Sequence, residues 1–232
     1  MKLSKIYSYG LLGIFVLLSF YTKGHEIIYD CTDESNDPKA KLILDAVQNR
    51  YKEHANISID FLLIIQFVER PKTEENGRIV QNGEQFKVEM KEQDIYCNGE
   101  DLWYHLKSKN EVQINDYEGG EDLGVVSPAD LLKQYESGEF EYTLKKEFVS
   151  SGRKMAEVEF KPTDSFSDYS KLRVTINKGL NKIVEVLAFG KDGSRFRMVI
   201  TKESYDQNYS EEFFEFDPIK FPNVFIEDLR LD

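Results

Sequence analysis

Residues 171–177 read KLRVTIN, and this short stretch shows the pattern that decides the fold of the chain. Leu172, Val174 and Ile176 alternate with polar residues. Successive side chains of a β-strand point to opposite faces, so the stretch predicts a strand with one apolar face and one polar face. The same alternation recurs between Ile57 and Thr201. The chain is therefore predicted to be mainly β.

Ten further segments continue this pattern on both sides of residues 171–177. The links between them are short and contain turn dipeptides such as Asn82-Gly83 and Asn98-Gly99, which predict antiparallel hairpins. In the first strand Leu62 makes the second face apolar as well. The predicted strands cover about residues 56–69, 77–81, 84–90, 93–97, 102–106, 111–116, 140–148, 153–161, 183–189 and 195–201.

Two helices are predicted beside these strands. Asp37 can cap the first one, Pro38 suits its first position, and apolar residues recur at helical spacing up to about His54. A second helix begins at Ser127, whose hydroxyl can cap it, and ends before Gly138.

The apolar face of the sheet is larger than the two helices can cover. Eleven strands about 4.8 Å apart would form a sheet about 50 Å wide, whereas each helix is only about 15 to 24 Å long. The sheet must therefore split into a sandwich, close into a barrel, or curl into a half-barrel with the helices over its open side. Helices with clean apolar stripes favour the curled form. Its interior would be an apolar cavity suited to a hydrophobic ligand.

Residues 1–24 have the composition of a signal peptide. Lys2 and Lys5 precede the apolar run at residues 10–20. This run has the length of a signal-peptide core and is short for a membrane-spanning helix. We expect export and removal of residues 1–24, with retention as an uncleaved anchor as the alternative.

The rest of the chain is predicted to form one domain after a short lead-in. Residues 25–38 form the polar lead-in, and residues 39–232 form the folded domain. In an oxidising compartment, Cys31 and Cys97 could form a disulfide.

The charge and the missing motifs exclude several classes of function. The net charge is −12, and it becomes −15 without residues 1–24, which carry three lysines and no acid. Such a surface repels nucleic acid and argues against permanent attachment to anionic lipid. The three histidines do not have metal-ligand spacing, and no nucleophile or phosphate-binding motif is present. We therefore expect no enzyme activity, no catalytic residue, no metal and no cofactor.

Several short motifs, in their order and spacing, resemble the periplasmic outer-membrane lipoprotein carrier family, LolA. The resemblance extends over nearly all of residues 39–230. The motifs are Ala40, Ile43-Leu44, Val47 and Tyr51 on the first helix, Asp60-Phe61 in the first strand, Asn98-Gly99-x-x-Leu102-Trp103, Asn110-x-Val112, Ser127-Pro128-x-x-Leu131-Leu132, and Val224-x-x-x-Asp228-Leu229-Arg230.

This resemblance implies an incomplete antiparallel β-barrel of about eleven strands with a helical lid, and the function of a lipoprotein carrier. Such a protein is a monomer in the periplasm that contacts membranes only transiently. It takes acylated lipoproteins from an inner-membrane lipoprotein-releasing transporter and passes them to an outer-membrane acceptor. Family members often carry an Arg just before a strand that matches Phe86-Lys87-Val88, where it latches the lid. The matching segment here, residues 80–83, has no Arg.

The alternation and the resemblance together predict the residues of the cavity and of its lid. Two alternatives remain open: a carrier of another lipid or hydrophobic small molecule on the same fold, and a non-catalytic signalling or scaffold module with a filled sandwich. The predicted cavity residues are Phe61, Leu63, Phe86, Val88, Val174, Ile176, Phe196 and Met198. The predicted lid residues are Ile43 and Val47 on the first helix and Leu131, Leu132 and Tyr135 on the second.

Overall fold

A computed structural model describes residues 36–117 and 128–230, and this part of the chain contains two α-helices and twelve β-strands. Helix α1 spans Pro38–Lys52, and helix α2 spans Pro128–Ser137. The strands are β1 Asn56–Gln66, β2 Thr73–Asn82, β3 Gln85–Glu89, β4 Gln93–Cys97, β5 Asp101–Leu106, β6 Glu111–Asp116, β7 Phe140–Ser150, β8 Arg153–Pro162, β9 Tyr169–Asn177, β10 Lys182–Gly190, β11 Arg195–Tyr205 and β12 Phe225–Asp228.

All twelve strands belong to one open sheet. Their order is β12-β6-β5-β4-β3-β2-β1-β11-β10-β9-β8-β7, so β12 and β7 are the two edges. Neighbouring strands pair antiparallel except β12, which runs parallel to β6. The sheet does not close on itself, which confirms the predicted incomplete antiparallel barrel with helices.

Helix α1 forms where the sequence predicts it, because its first residues are well capped. Asp37 accepts a hydrogen bond from the Lys39 amide at 2.8 Å, and Pro38 needs no amide partner in the first turn. The second carboxylate oxygen of Asp37 accepts a bond from the Leu144 amide at 3.1 Å. The Asp37 amide donates to the Tyr142 carbonyl, also at 3.1 Å. The cap therefore also anchors the start of α1 to β7.

Helix α2 ends at the predicted glycine. Gly138 has φ +81°, a left-handed conformation that a glycine adopts without strain. The predicted cap, Ser127, lies outside the described residues.

Both helices pack on one half of the sheet. Their buried residues form a single apolar cluster with β7, β8, β9 and β10, and its largest fully buried side chains include Phe160 and Leu172. We call this side of the sheet the helix face. A second cluster consists of side chains from β1 to β5 and β11, among them Phe61, Phe86 and Met198. Among the residues that the structure describes, this second cluster contains no helix residue.

The opposite side, the outer face, is covered at one end by the segment after β11. Phe216 and Phe221 stack on each other with ring centroids 5.1 Å apart. Phe216 also packs on Tyr96 of β4, and both rings contact His105 of β5. The closing segment then returns to the sheet as β12.

His105 is a buried titratable group beneath this aromatic layer. Its residue is 3% exposed, and the Asp94 carboxylate lies 4.0 Å from Nδ1. Burial lowers the pKa of His105 below its usual range, although Asp94 opposes this effect. Lys107, which pairs with Asp94 at 2.7 Å, also lowers it.

We expect the protein to lose stability as the pH falls below about 6.5, the ordinary pKa of histidine. The unfolded chain then takes up a proton that the folded state resists, so the free energy of unfolding decreases. Urea unfolding at about pH 7 and about pH 5 measures this loss, and His105→Leu should reduce it. Equal losses in both proteins would contradict this assignment.

The structure differs from the predicted elements at the end of the chain. Strand β12 was not predicted, because four residues after Pro222 give little periodic signal and the strand exists only through its pairing with β6. Strands β2 and β11 are also longer than predicted, since their added residues do not continue the alternation of apolar and polar side chains. Cys97 is buried. Cys31 lies outside the described residues, so the disulfide remains a prediction.

Candidate functional site

The strand register places all eight predicted cavity residues on the helix face. Met198 of β11 lies opposite Leu63 of β1 and Val186 of β10. Val186 in turn lies opposite Val174 of β9. Directly paired residues in antiparallel strands share a face, so the face continues across these strands. Ile59 of β1 pairs with Ile79 of β2, and Ile79 pairs with Val88 of β3, so the helix face also extends over β2 and β3.

The eight residues nevertheless fall into the two separate clusters. Val174 and Ile176 are fully buried against the helices, and Phe196 is half-buried at the edge of the same cluster. Phe61 and Met198 belong to the second cluster. The other predicted members of that second cluster are Leu63, Phe86 and Val88.

Phe61 lies on the helix face opposite a residue that has no side chain. Its pairing partner on β2 is Gly77. A β-carbon at Gly77 would come within 2.2 Å of Cζ of Phe61, so the ring occupies the space above the glycine. Phe61 is 1% exposed. The absence of a side chain at residue 77 therefore determines where this ring packs.

The predicted lid residues lie on the two helices and are mostly buried. Val47, Leu131, Leu132 and Tyr135 belong to the helix cluster, and Ile43 is half-buried beside it.

Polar contacts join the two helices. The hydroxyl of Tyr135 donates to Asp45 at 2.8 Å, and burial and this bond raise the pKa of the phenol. Lys52 pairs with Glu136 at 2.6 Å. Both members of this ion pair are about half exposed, so the pair contributes little stability.

A pocket of about 250 Å³ opens beside these contacts, between the ends of the helices and one end of the sheet. The helices contribute Gln48, Tyr51 and Leu132 to its wall. Ala55, Ile57 and Gln81 contribute from the start of β1 and the end of β2. The wall is mainly apolar. Of the predicted residues only Leu132 lines this pocket, and the eight strand residues do not.

A buried carboxylate holds the end of α1 against the sheet next to this pocket. The side chain of Glu203 on β11 is 3% exposed and accepts hydrogen bonds from Tyr51 at 3.1 Å and Tyr205 at 2.9 Å. Lys182 pairs with it at 3.3 Å. Burial, with the nearby Glu203 charge, raises the pKa of Tyr51 well above its usual value. The charge of Glu203 is therefore compensated, and α1 is fixed at both ends.

A second pocket, of about 330 Å³, lies on the other side of α1. Leu42, Ile43 and Ala46 of α1 line it together with Leu144 of β7. Lys39, Glu147 and Lys178 also line it, so its wall carries three charged side chains.

Within residues 36–117 and 128–230, no three His, Cys, Asp or Glu side chains are grouped as a metal site would require. None of the described helices is both long and apolar enough to cross a membrane.

The comparisons with known proteins concern the fold. No model of a known protein family matches the chain, and no curated protein matches its sequence. An uncharacterised conserved protein from Thermus thermophilus has a similar solved structure, with a TM-score of 0.54 at 11% identity; the match covers 82% of this chain and 99% of that one.

Two other solved structures match with lower scores. A LolA superfamily protein from Nitrosomonas europaea has a TM-score of 0.41 at 12% identity, covering 76% of this chain and 97% of that one. The lipoprotein LppX of Mycobacterium tuberculosis has a TM-score of 0.46 at 10% identity, covering 75% and 100%. A solved LolA superfamily protein is thus among the structural neighbours, and the likeness concerns the fold alone.

Proposed function

We propose that this protein is a carrier that binds the acyl chains of lipoproteins and moves them between the inner and the outer membrane. The observation that supports this most is the apolar pocket between the helices and the helix face of the sheet. A mainly apolar wall with a few polar groups is typical of a site for a hydrophobic ligand.

The size of the pocket suits partial burial of the cargo. Burying acyl chain yields about 0.8 kcal/mol per CH₂, so a chain of about sixteen carbons could contribute about 12 kcal/mol. A pocket of about 250 Å³ is smaller than most ligand pockets, and it holds one segment of a chain. Partial burial keeps the affinity moderate, as release to an acceptor requires.

Larger cargo requires a helix to move, and the contacts indicate which one. Asp37 and Glu203 tie the two ends of α1 to β7 and β11. The polar contacts of α2 with α1 include the Tyr135 bond, a 3.4 Å bond from the Gln48 side-chain amide to the Leu132 carbonyl, and the exposed Lys52 ion pair. We therefore assign the opening motion to α2, while α1 stays on the sheet.

The remaining features of the proposal rest on the composition of residues 1–24 and on what the resemblance to the lipoprotein carrier family implies. Residues 1–24 direct export to the periplasm, where the chain acts as a monomer. Its partners are acylated lipoproteins, an inner-membrane lipoprotein-releasing transporter and an outer-membrane acceptor. A likeness in fold to a LolA superfamily protein agrees with this function.

The proposal is tested by titrating the purified protein with a fluorescent fatty acid of about sixteen carbons, a length that gives strong apolar burial. We expect saturable binding at neutral pH, with probe emission shifted as in an apolar medium. A filled core, as a signalling or scaffold module would have, gives no such signal, and that result would exclude the carrier.

A further inference from the structure

Three turns lie at one end of the sheet, and two of them expose large apolar side chains. They are residues 67–72 between β1 and β2, residues 163–168 between β8 and β9, and residues 191–195 at the start of β11. The register places them at the same end, because Ile65 pairs with Phe196 and Gly190 pairs with Tyr169. We call these three segments the loop rim.

The exposed large apolar residues of the loop rim are Phe67, Val68 and Phe166. Phe166 is 91% exposed, Val68 60% and Phe67 39%. Exposed apolar side chains are common singly, but neighbouring ones on separate turns mark an interaction surface. None of the three is buried in the core.

Hydrogen bonds and close packing hold the turns of the loop rim together. The Lys191 ammonium donates to the Ser165 carbonyl at 2.6 Å, and the Lys191 amide donates to the Asp168 carbonyl at 2.9 Å. These bonds join two of the turns. A side chain at Gly193 would approach Val68 to 2.8 Å, so the third turn packs directly against it.

The rim also lies next to the helix face. The ring of Phe67 meets Phe196 edge-on at 6.0 Å, and the ring of Tyr169 meets Phe196 edge-on at 6.4 Å. Phe196 belongs to the helix-face cluster. The rim therefore borders the apolar cluster of the helix face, at the end of the sheet opposite to the first pocket, which lies at the start of β1 and the end of β2.

The charge of the rim differs from that of the whole chain. The chain carries −12, whereas the rim has four acidic and four basic residues and is neutral. Arg70 lies over the Phe67 ring at 5.6 Å. Long basic side chains beside apolar tips can reach lipid phosphates while the tips enter the bilayer. The acids are Glu69, Asp164, Asp168 and Asp192, and the bases are Arg70, Lys72, Lys191 and Arg195.

We propose that the loop rim is the surface through which this protein contacts a lipid bilayer. Phe166 and Val68 insert into the headgroup region, and the neighbouring basic residues meet the phosphates. A protein partner is less well matched, because a specific interface needs about 800 Å² of continuous surface on each partner, and the rim offers separate tips. Contact through a few side chains is weak and reversible. This bilayer contact rests on the proposed carrier function. Binding to vesicles can nevertheless be measured without any cargo.

The test is sedimentation of the full chain with vesicles of phosphatidylethanolamine containing about a quarter phosphatidylglycerol, an anionic lipid. We expect wild-type protein to sediment with these vesicles and to remain bound at high salt, which screens charges but not apolar insertion. The double variant Val68→Ser with Phe166→Ser should bind about tenfold more weakly. Both side chains are exposed, so the substitutions should leave folding intact.

The matched control removes equally exposed apolar side chains elsewhere. Val149 is 70% exposed and Ile219 is 89% exposed, and both lie outside the loop rim. The variant Val149→Ser with Ile219→Ser should bind vesicles like the wild type. Equal loss in both double variants would overturn the proposal, as would wild-type protein that does not sediment or that dissociates at high salt. Failure here with intact fatty-acid binding would leave the carrier function standing.

Discussion

Replacing Gly77 with valine is expected to lower the free energy of unfolding by about 3 kcal/mol, the upper range for overpacking a core. The new side chain would occupy the position of the Phe61 ring, whose Cζ lies 2.2 Å from an ideal β-carbon. Phe61 cannot turn toward solvent without exposing apolar surface, since it is 1% exposed. Urea denaturation with an unchanged slope measures the effect.

Two further variants identify the cause of that loss. In a Phe61→Ala background the clash partner is absent, so Gly77→Val should cost much less than in the wild type. Gly179→Ala adds a β-carbon that meets only an ordinary contact at 3.5 Å, and it should change stability by less than about 0.5 kcal/mol. A Gly77→Val protein as stable as wild type would show that Phe61 does not depend on the glycine.

Replacing Ala55 with phenylalanine is expected to weaken binding of the fluorescent fatty acid about tenfold, the worth of about two buried methylene groups. Ala55 lines the first pocket but is itself exposed. The larger ring can therefore occupy the mouth of the pocket without disturbing the core. The loss should appear in the dissociation constant, with the same number of sites per chain.

Ala46 provides the matched control, because it lines the second pocket on the other side of α1. Ala46→Phe should leave the affinity for the probe within about twofold of the wild type, a difference of about 0.4 kcal/mol. If only Ala46→Phe lost affinity for the probe, the ligand would have to be assigned to the second pocket. If the wild type, Ala55→Phe and Ala46→Phe bound the probe with equal affinity, neither pocket would hold the acyl chain.

Much of the fold could be predicted from the sequence, because its strands carry strong local signals. The alternation of Leu172, Val174 and Ile176 identifies β9 and the face on which it packs. Asp37 and Pro38 mark the start of α1, where cap and first turn are decided by neighbouring residues. Strand β12 could not be found this way. Its four residues are exposed, and only the distant strand β6 makes them a strand.

The candidate site was less predictable, since its wall consists of strand ends and links. Periodicity selects the centres of strands, such as Val174, which the structure shows packed against the helices. Ala55 and Gln81 have no periodic signal, and they meet only because β1 and β2 pair there. Glu203 lies just beyond the predicted end of its strand. Its buried contacts with Tyr51 require the position of α1, which the sequence alone does not supply.

The most direct test of the carrier function is mass spectrometry of an organic extract from protein purified without detergent. The proposal predicts acylated lipopeptides, in an amount that falls strongly in the Ala55→Phe protein and remains at the wild-type level in Ala46→Phe. Free lipids in their place would identify a carrier of another lipid. The proposed function would be contradicted if the wild-type extract contained no more acyl-bearing molecules than the extract of the Ala55→Phe protein.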